Sequence, residues 1–321
     1  MELDYFVADV FTDTALAGNP LAVVMNTVGL TTERMQQIAR EFNLSETTFT
    51  ERRSAAVEQA EGVRVRIFTT QEELNFAGHP TLGTASVLKL HAPETVRGDT
   101  VTLSLNVGAV PVRFTGAGLF GEMTQRDPEF GDELDPHEVA RLTGLEVDDL
   151  DPGLPPQIVS TGTAFAIVAL RSSEALARLR VSQPEATAWL RARGGRWFFV
   201  LAPELDQQGG PTPRYRARMQ FYGGEDPATG SASGCAIGYL VQRGAVASGE
   251  RIHVRQGVEI GRPSDLYLTA HFQNGDEQSR SAKVTDVRVA GSTVLVASGR
   301  LFLPVCTRFQ QVFIVASDGM Y

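Results

Sequence analysis

Apolar and polar positions alternate with period two at Leu3, Tyr5 and Val7, and again at Val63, Val65 and Ile67, where Arg64 and Arg66 take the opposite face. That period predicts half-buried strands. Unbroken apolar runs at residues 21–25, 165–170 and 197–201 predict buried strands, and further strands are expected at 45–50, 101–105, 110–114, 158–161, 287–290, 293–296 and 312–315. Met35, Ile38, Ala39 and Phe42 fall at i, i+3, i+4 and i+7, the period of an amphipathic helix. Thr31 or Thr32 can cap it, and Asn43 can end it in the left-handed conformation. Residues 81–90 and 230–243 are nearly uncharged all round, which predicts two helices buried on every side. Pro80 suits the first position of one, and Gly244 stops the other. Shorter helices are expected after Asp135-Pro136 and at 186–193, and a loop at 207–213. Many short strands around two buried helices predict an α+β fold, not a doubly wound parallel sheet.

The two buried helices belong to a repeat. Slide the chain by 152 residues, and Arg64, Arg66, Glu73, Gly78 and Leu88 fall on Arg216, Arg218, Glu225, Gly230 and Leu240, with His79 on Ser231. Each copy reads as a strand, a turn containing glycine, and a helix with a small, polar first turn. Two such helix N-termini face to face would form a site for a small anion, because unpaired N–H groups and the positive dipole ends point into it. The expected lobes run over residues 1–117 and 118–304, with segment 305–321 returning as a strand to the first.

The 321 residues suit two domains with cores of their own. The net charge is −9 and the basic residues are dispersed, which speaks against a nucleic-acid partner. The first residues show no basic segment followed by an apolar run, and no stretch approaches the ~18 apolar residues of a membrane span. With Cys235 and Cys306 the only cysteines, a reducing cytoplasm is expected.

Gly116-Ala117-Gly118-Leu119-Phe120-Gly121 has dinucleotide-loop spacing, but no helix opens after it, and it reads as a hairpin loop. There is no phosphate-binding Gly-Lys-Ser/Thr motif, and the five histidines are too scattered for a zinc site. Glu46 reads either as an exposed edge-strand carboxylate or as a buried acid tuned for proton transfer by its apolar strand. His79 reads as a polar cap or as a neutral donor to a substrate; Asp226 as a turn former before Pro227 or as a site residue; Ser231 as a plain helix residue or as a substrate contact.

Four blocks bear on these readings. Gly18-Asn19-Pro20-Leu21-Ala22-Val23-Val24, Asn43-Leu44-Ser45-Glu46-Thr47-Thr48-Phe49, residues 73–85 around Gly78-His79-Pro80, and Glu225-Asp226-Pro227-Ala228-Thr229-Gly230-Ser231-Ala232 together resemble the PhzF family, the phenazine biosynthesis isomerase-like proteins. The resemblance implies the diaminopimelate epimerase-like fold: two similar lobes, each a β-roll around a central helix. It implies that Glu46 is the acid/base, and that Asn19, Ser45, Gly78, His79, Asp226, Gly230 and Ser231 line the substrate cleft. It also implies an isomerase without metal or organic cofactor, acting on a small carboxylate such as trans-2,3-dihydro-3-hydroxyanthranilate, and a homodimer. Two other readings stand beside it. A cofactor-independent epimerase needs two opposed thiols, yet Gly78 and Gly230 hold the matching repeat positions, and Cys235 faces Gly83 in the repeat. A noncatalytic small-molecule binding protein on the same fold is the other.

Overall fold

Each central helix, Gly78–His91 and Gly230–Gln242, is buried along almost its whole length inside its own curved set of strands. The computed structural model describes residues 1–116, 118–204, 212–221, 224–273 and 283–303. Around the first helix the strands run, in spatial order, Thr293–Phe302, Glu2–Val10, Asn19–Val24, Glu46–Glu51, Val63–Phe68, Thr100–Leu105, Gly108–Phe114 and Gly121–Thr124. Around the second they run Glu129–Glu133, Gln157–Ser160, Ala164–Ala169, Trp197–Pro203, Arg214–Arg218, Ile252–Gln256, Ser264–Gln273 and Lys283–Gly291. Pairing senses match step by step in both sets: antiparallel, antiparallel, parallel, antiparallel, parallel, antiparallel, antiparallel. The fold is therefore α+β with two pseudo-symmetric lobes. Gly121–Thr124 also pairs with Lys283–Gly291 and so joins them.

The place held in the second lobe by Glu129–Glu133 is held in the first by Thr293–Phe302, which pairs with Glu2–Val10 along its length. The sequence reading put residues 293–302 at the end of the second lobe; here they complete the sheet of the first. Segment 305–321, expected to make that return, lies outside the described residues.

The repeat also fixes an ion pair in each lobe, half-buried in the first and buried in the second. Arg66 reaches Glu73 with Nε at 2.8 Å and a terminal nitrogen at 2.6 Å, and Arg218 reaches Glu225 with the same two atoms at 2.9 and 2.6 Å. In both copies the two residues stand seven apart, across the turn that leads into the central helix.

Most of the expected elements are present, with three differences. The first central helix begins at Gly78, not at Pro80. The Thr81 N–H and hydroxyl both bond the Ala77 carbonyl, which starts the helical turn earlier, and Pro80 is tolerated because first-turn N–H groups lack partners anyway. The helix expected at 186–193 is Gln183–Arg191. Two short helices, Ala55–Glu61 and Ser173–Ala177, carry too few periodic positions to be read from sequence. Thr31 caps the helix Thr32–Phe42 and Asn43 ends it at φ 51°, as its sequence predicts. The glycine-rich stretch after Gly108–Phe114 is a hairpin connection to Gly121–Thr124. The loop expected at 207–213 falls mostly outside the described residues.

Candidate active site

The N-termini of the two central helices meet. A Cβ added to Gly78 would lie 3.0 Å from both Gly230 Cα and Ser231 N, and one added to Gly230 would press on the Phe11 ring at 3.2 Å. Any side chain at Gly78 pushes on backbone that cannot swing away. Gly78→Ala is expected to cost about 1–3 kcal/mol through overpacking and to lower kcat/KM; thermal unfolding and steady-state kinetics check both. Phe11 itself sits at φ 63°, a conformation that a bulky residue rarely adopts and that the packing around it must impose.

Several chain segments bring polar side chains to this meeting point. Asn19 opens the strand Asn19–Val24, and Glu46 opens its parallel neighbour, with Leu21 opposite Glu46 in register. His79 lies in the first turn of one central helix, and Asp226 in the turn before the other. Asn19 spans the lobes: its Nδ2 donates to Asp226 Oδ1 at 2.7 Å and to the Ala228 carbonyl at 2.9 Å, and lies 3.2 Å from His79 Nδ1. His79 Nε2 stands 3.5 Å from Glu46 Oε2. That separation is beyond a good hydrogen bond, so Nε2 is buried without a partner, as is Asn19 Oδ1. Unpaired buried polar atoms are rare, and two on residues in contact mark a place built to meet something else. Asn19, Glu46, His79 and Asp226 are thus in one cluster, with Gly78, Gly230 and Ser231 beside it. Ser45 precedes Glu46, half-buried, and makes no side-chain hydrogen bond to the others.

The electrostatics are those of a largely buried acidic site. Burial pushes the Glu46 carboxyl up to about 8, and the charge of Asp226 adds to the rise. The edge-strand alternative for Glu46 therefore does not describe its surroundings: its side chain is 16% exposed. Burial holds His79 down at about 3, with a hydrogen bond to the Pro20 carbonyl working against it, so the ring is neutral at physiological pH. Burial also raises Asp226 to about 6, opposed by hydrogen bonds from Thr229, Ala228 and Asn19. Between pH 6 and 8 the favoured state is thus a protonated Glu46, a neutral His79 and an ionised Asp226. Among the described residues, no three His, Cys, Asp or Glu side chains cluster as a metal site would need, and no helix is long and apolar enough to cross a membrane.

Sequence reasoning missed the groups that hold this cluster from beneath. Gln125 donates to the Gly230 carbonyl at 2.8 Å and accepts from Thr161 at 2.7 Å. Arg262 clasps Asp9 and the Ala17 and Gly18 carbonyls, anchoring the loop that delivers Asn19. A lone Gln or Arg in a strand or loop carries no periodicity or motif to betray such a role.

Known proteins place the chain. The model of the phenazine biosynthesis-like family, PhzC-PhzF, matches residues 8–299. A trans-2,3-dihydro-3-hydroxyanthranilate isomerase of Pseudomonas aeruginosa is 35% identical over 303 residues, covering 93% of this chain and 99% of the relative. An uncharacterized isomerase of Mesorhizobium japonicum is 35% identical over 312 residues, covering 94% and 99%. Among solved structures, a PhzF-family phenazine biosynthesis protein of Bacillus anthracis superposes with a TM-score of 0.79 at 25% identity, covering 94% of this chain and all of that one. A hydroxyproline epimerase of Agrobacterium vitis, at 10% identity and a TM-score of 0.60 over 94% of this chain and 92% of its own, shares the fold. With the family pattern running from the first strand to the last and named isomerases matched nearly end to end, this chain is an isomerase of the PhzC-PhzF family.

Proposed function

We propose that Glu46 shifts a proton between two carbons on one face of a small carboxylate, similar to trans-2,3-dihydro-3-hydroxyanthranilate, held between the lobes. The observation that carries this reading is the buried Glu46 carboxyl, raised to about 8, beside a neutral histidine and an Asp226 that stays ionised above about 6. A proton carrier works best when its pKa lies near the working pH, because both of its forms are then accessible. Abstraction leaves an allylic or enol-type anion, and the same carboxyl returns the proton at the other end. His79 Nε2 and Asn19 Oδ1, both buried and unpaired, are oriented for substrate polar groups. Gly78, Gly230, Ser231 and Ser45 line the cleft, with backbone N–H groups of the two helix N-termini receiving the substrate carboxylate.

The lobes' symmetry supports one-base chemistry. Glu46 is the first residue of its parallel strand; Trp197 is the first residue of the corresponding strand in the second lobe. At that strand position one lobe has a carboxyl and the other an aromatic ring; the second lobe's Asp226 reaches the site from the turn before its central helix and is ionised where Glu46 is protonated. Inverting a stereocentre needs groups on opposite faces, whereas a same-face shift needs one. We place the protein in the cytoplasm as a homodimer without cofactor, a state that size-exclusion chromatography with light scattering checks.

The test is incubation with trans-2,3-dihydro-3-hydroxyanthranilate, and with related unsaturated hydroxy or amino carboxylates, in deuterated buffer, followed by proton NMR. Isomerisation with a relocated or exchanged hydrogen is expected. Absence of turnover or exchange across the panel would return the chain to a binding role.

A further inference from the structure

The turn from Asp226 to Thr229 is held from behind by Gln256, the last residue of the strand Ile252–Gln256, which has no solvent exposure. Its Oε1 accepts from the Thr229 backbone N–H at 3.0 Å, and its Nε2 donates to the Asp226 carbonyl at 2.8 Å and to Thr229 Oγ1 at 2.9 Å. The amide can sit only one way round: turned over, it would set oxygen against the carbonyl and NH2 against the N–H. Both amide hydrogens are thus committed. Thr229 Oγ1, already receiving one hydrogen, gives its own to Asp226 Oδ2 at 2.7 Å. The second carboxyl oxygen, Oδ1, accepts from Asn19. Gln256 therefore sets the direction of the hydrogen bond that ends on Asp226, without touching the Asp226 carboxyl.

We infer that Gln256 is a positioning residue for the proton transfer, acting through Thr229 to present both oxygens of Asp226 as acceptors and so keep Asp226 as the ionised neighbour of Glu46. Its consequence for turnover rests on the proposed role of Glu46; the chain of hydrogen bonds does not. The groups acting on Asp226 are Asn19, Thr229 and the Ala228 N–H, which favour its charge, and Glu225, which opposes it and is itself paired with Arg218. Facing Glu46 are Asp226 and His79. Asp226 lies at about 6, so losing one donor raises it toward the protonated form near neutrality. A neutral Asp226 no longer lifts Glu46, whose titration then moves to lower pH.

Carboxyl-carbon NMR titration of the full chain, labelled at Asp and Glu side chains, reads this without any substrate. In Thr229→Val, which keeps the shape and removes the donor, Asp226 is expected to titrate higher and Glu46 lower, each by about one pH unit. Gln256→Leu, which frees the hydroxyl to turn away, is expected to do the same. Thr229→Ser, which keeps the hydroxyl, is expected to follow the parent protein. A folded Thr229→Val whose Glu46 titrates as in the parent overturns the inference, and so does a Thr229→Ser that shifts as Thr229→Val does. A folded Gln256→Leu that titrates as the parent does overturns the inference as well, and should Gln256→Leu fail to fold, Gln256→Met is read in its place. Failure of every substrate to turn over would count against the role of Glu46 and leave these titrations standing.

Discussion

Glu46→Gln is expected to lose about 10²–10⁴-fold in turnover, the usual worth of a positioned general acid–base group, while keeping its fold and its affinity for a substrate analogue. Glutamine fills the same volume and cannot carry a proton between carbons. The pH dependence gives the change a second signature. Abstraction needs the carboxylate, and burial holds Glu46 at about 8, so kcat/KM of the parent should rise with pH and level off above about 8. Stability should run the other way. The folded chain keeps a proton on Glu46 that the unfolded chain releases between about 4.5 and 8, so folding loses stability as pH rises through that window. Glu46→Gln lacks this penalty and should be the more stable protein at pH 8 and the nearly inactive one, a combination that fits a side chain held for function at the expense of stability. His79→Ala and Asp226→Ala should lose less turnover, since each orients or biases the transfer without carrying the proton. Denaturant titrations and pH–rate profiles test these expectations together. A Glu46→Gln that turns substrate over at near-normal rate would remove Glu46 from the chemistry.

Arg218→Ala should be the most damaging change away from the reacting centre. Arg218 and Glu225 are 5% and 7% exposed in their side chains, and Arg218 also donates to the Leu176 and Ala177 carbonyls at 2.9 and 3.3 Å. Removing the arginine strands a buried carboxylate and takes a donor from both carbonyls, a loss of about 3–5 kcal/mol. Its repeat partner is a built-in control. Arg66 and Glu73 make the same two-pronged contact at 16% and 23% exposure, and water can replace a lost partner there. Arg66→Ala should cost about 1 kcal/mol, within the range of accessible ion pairs. The two variants differ further in activity, because Glu225 already pushes Asp226 up, and without Arg218 that push is unopposed. Urea unfolding midpoints of the two variants, measured side by side, test the ranking; equal losses would show that burial does not set the difference.

Much of the fold was legible in the sequence because it is encoded locally. Period-two segments such as 63–67, the i, i+3, i+4, i+7 face of Met35, Ile38, Ala39 and Phe42, and the uncharged helices at Gly78 and Gly230 announce themselves through a few neighbouring residues. The 152-residue offset predicted the matched lobes, and Arg66 with Glu73, and Arg218 with Glu225, recur in it because each copy must hold the same turn before its helix. The motif blocks likewise named Asn19, Glu46, His79 and Asp226 as candidates. The sequence could not decide between a solvated and a buried Glu46, since an edge strand and a strand that opens into a dry cleft read alike. Only the assembly of both lobes decides that, by removing water and bringing Asp226 within range of Glu46. The same holds for the strand Thr293–Phe302, which closes the first lobe from the far end of the described chain, and for Gln256, Gln125 and Arg262, whose partners lie 27 to 253 residues away. Local pattern fixes which face of an element is apolar; the depth of a polar group, and therefore its charge, depends on surfaces that meet only when the whole chain has folded.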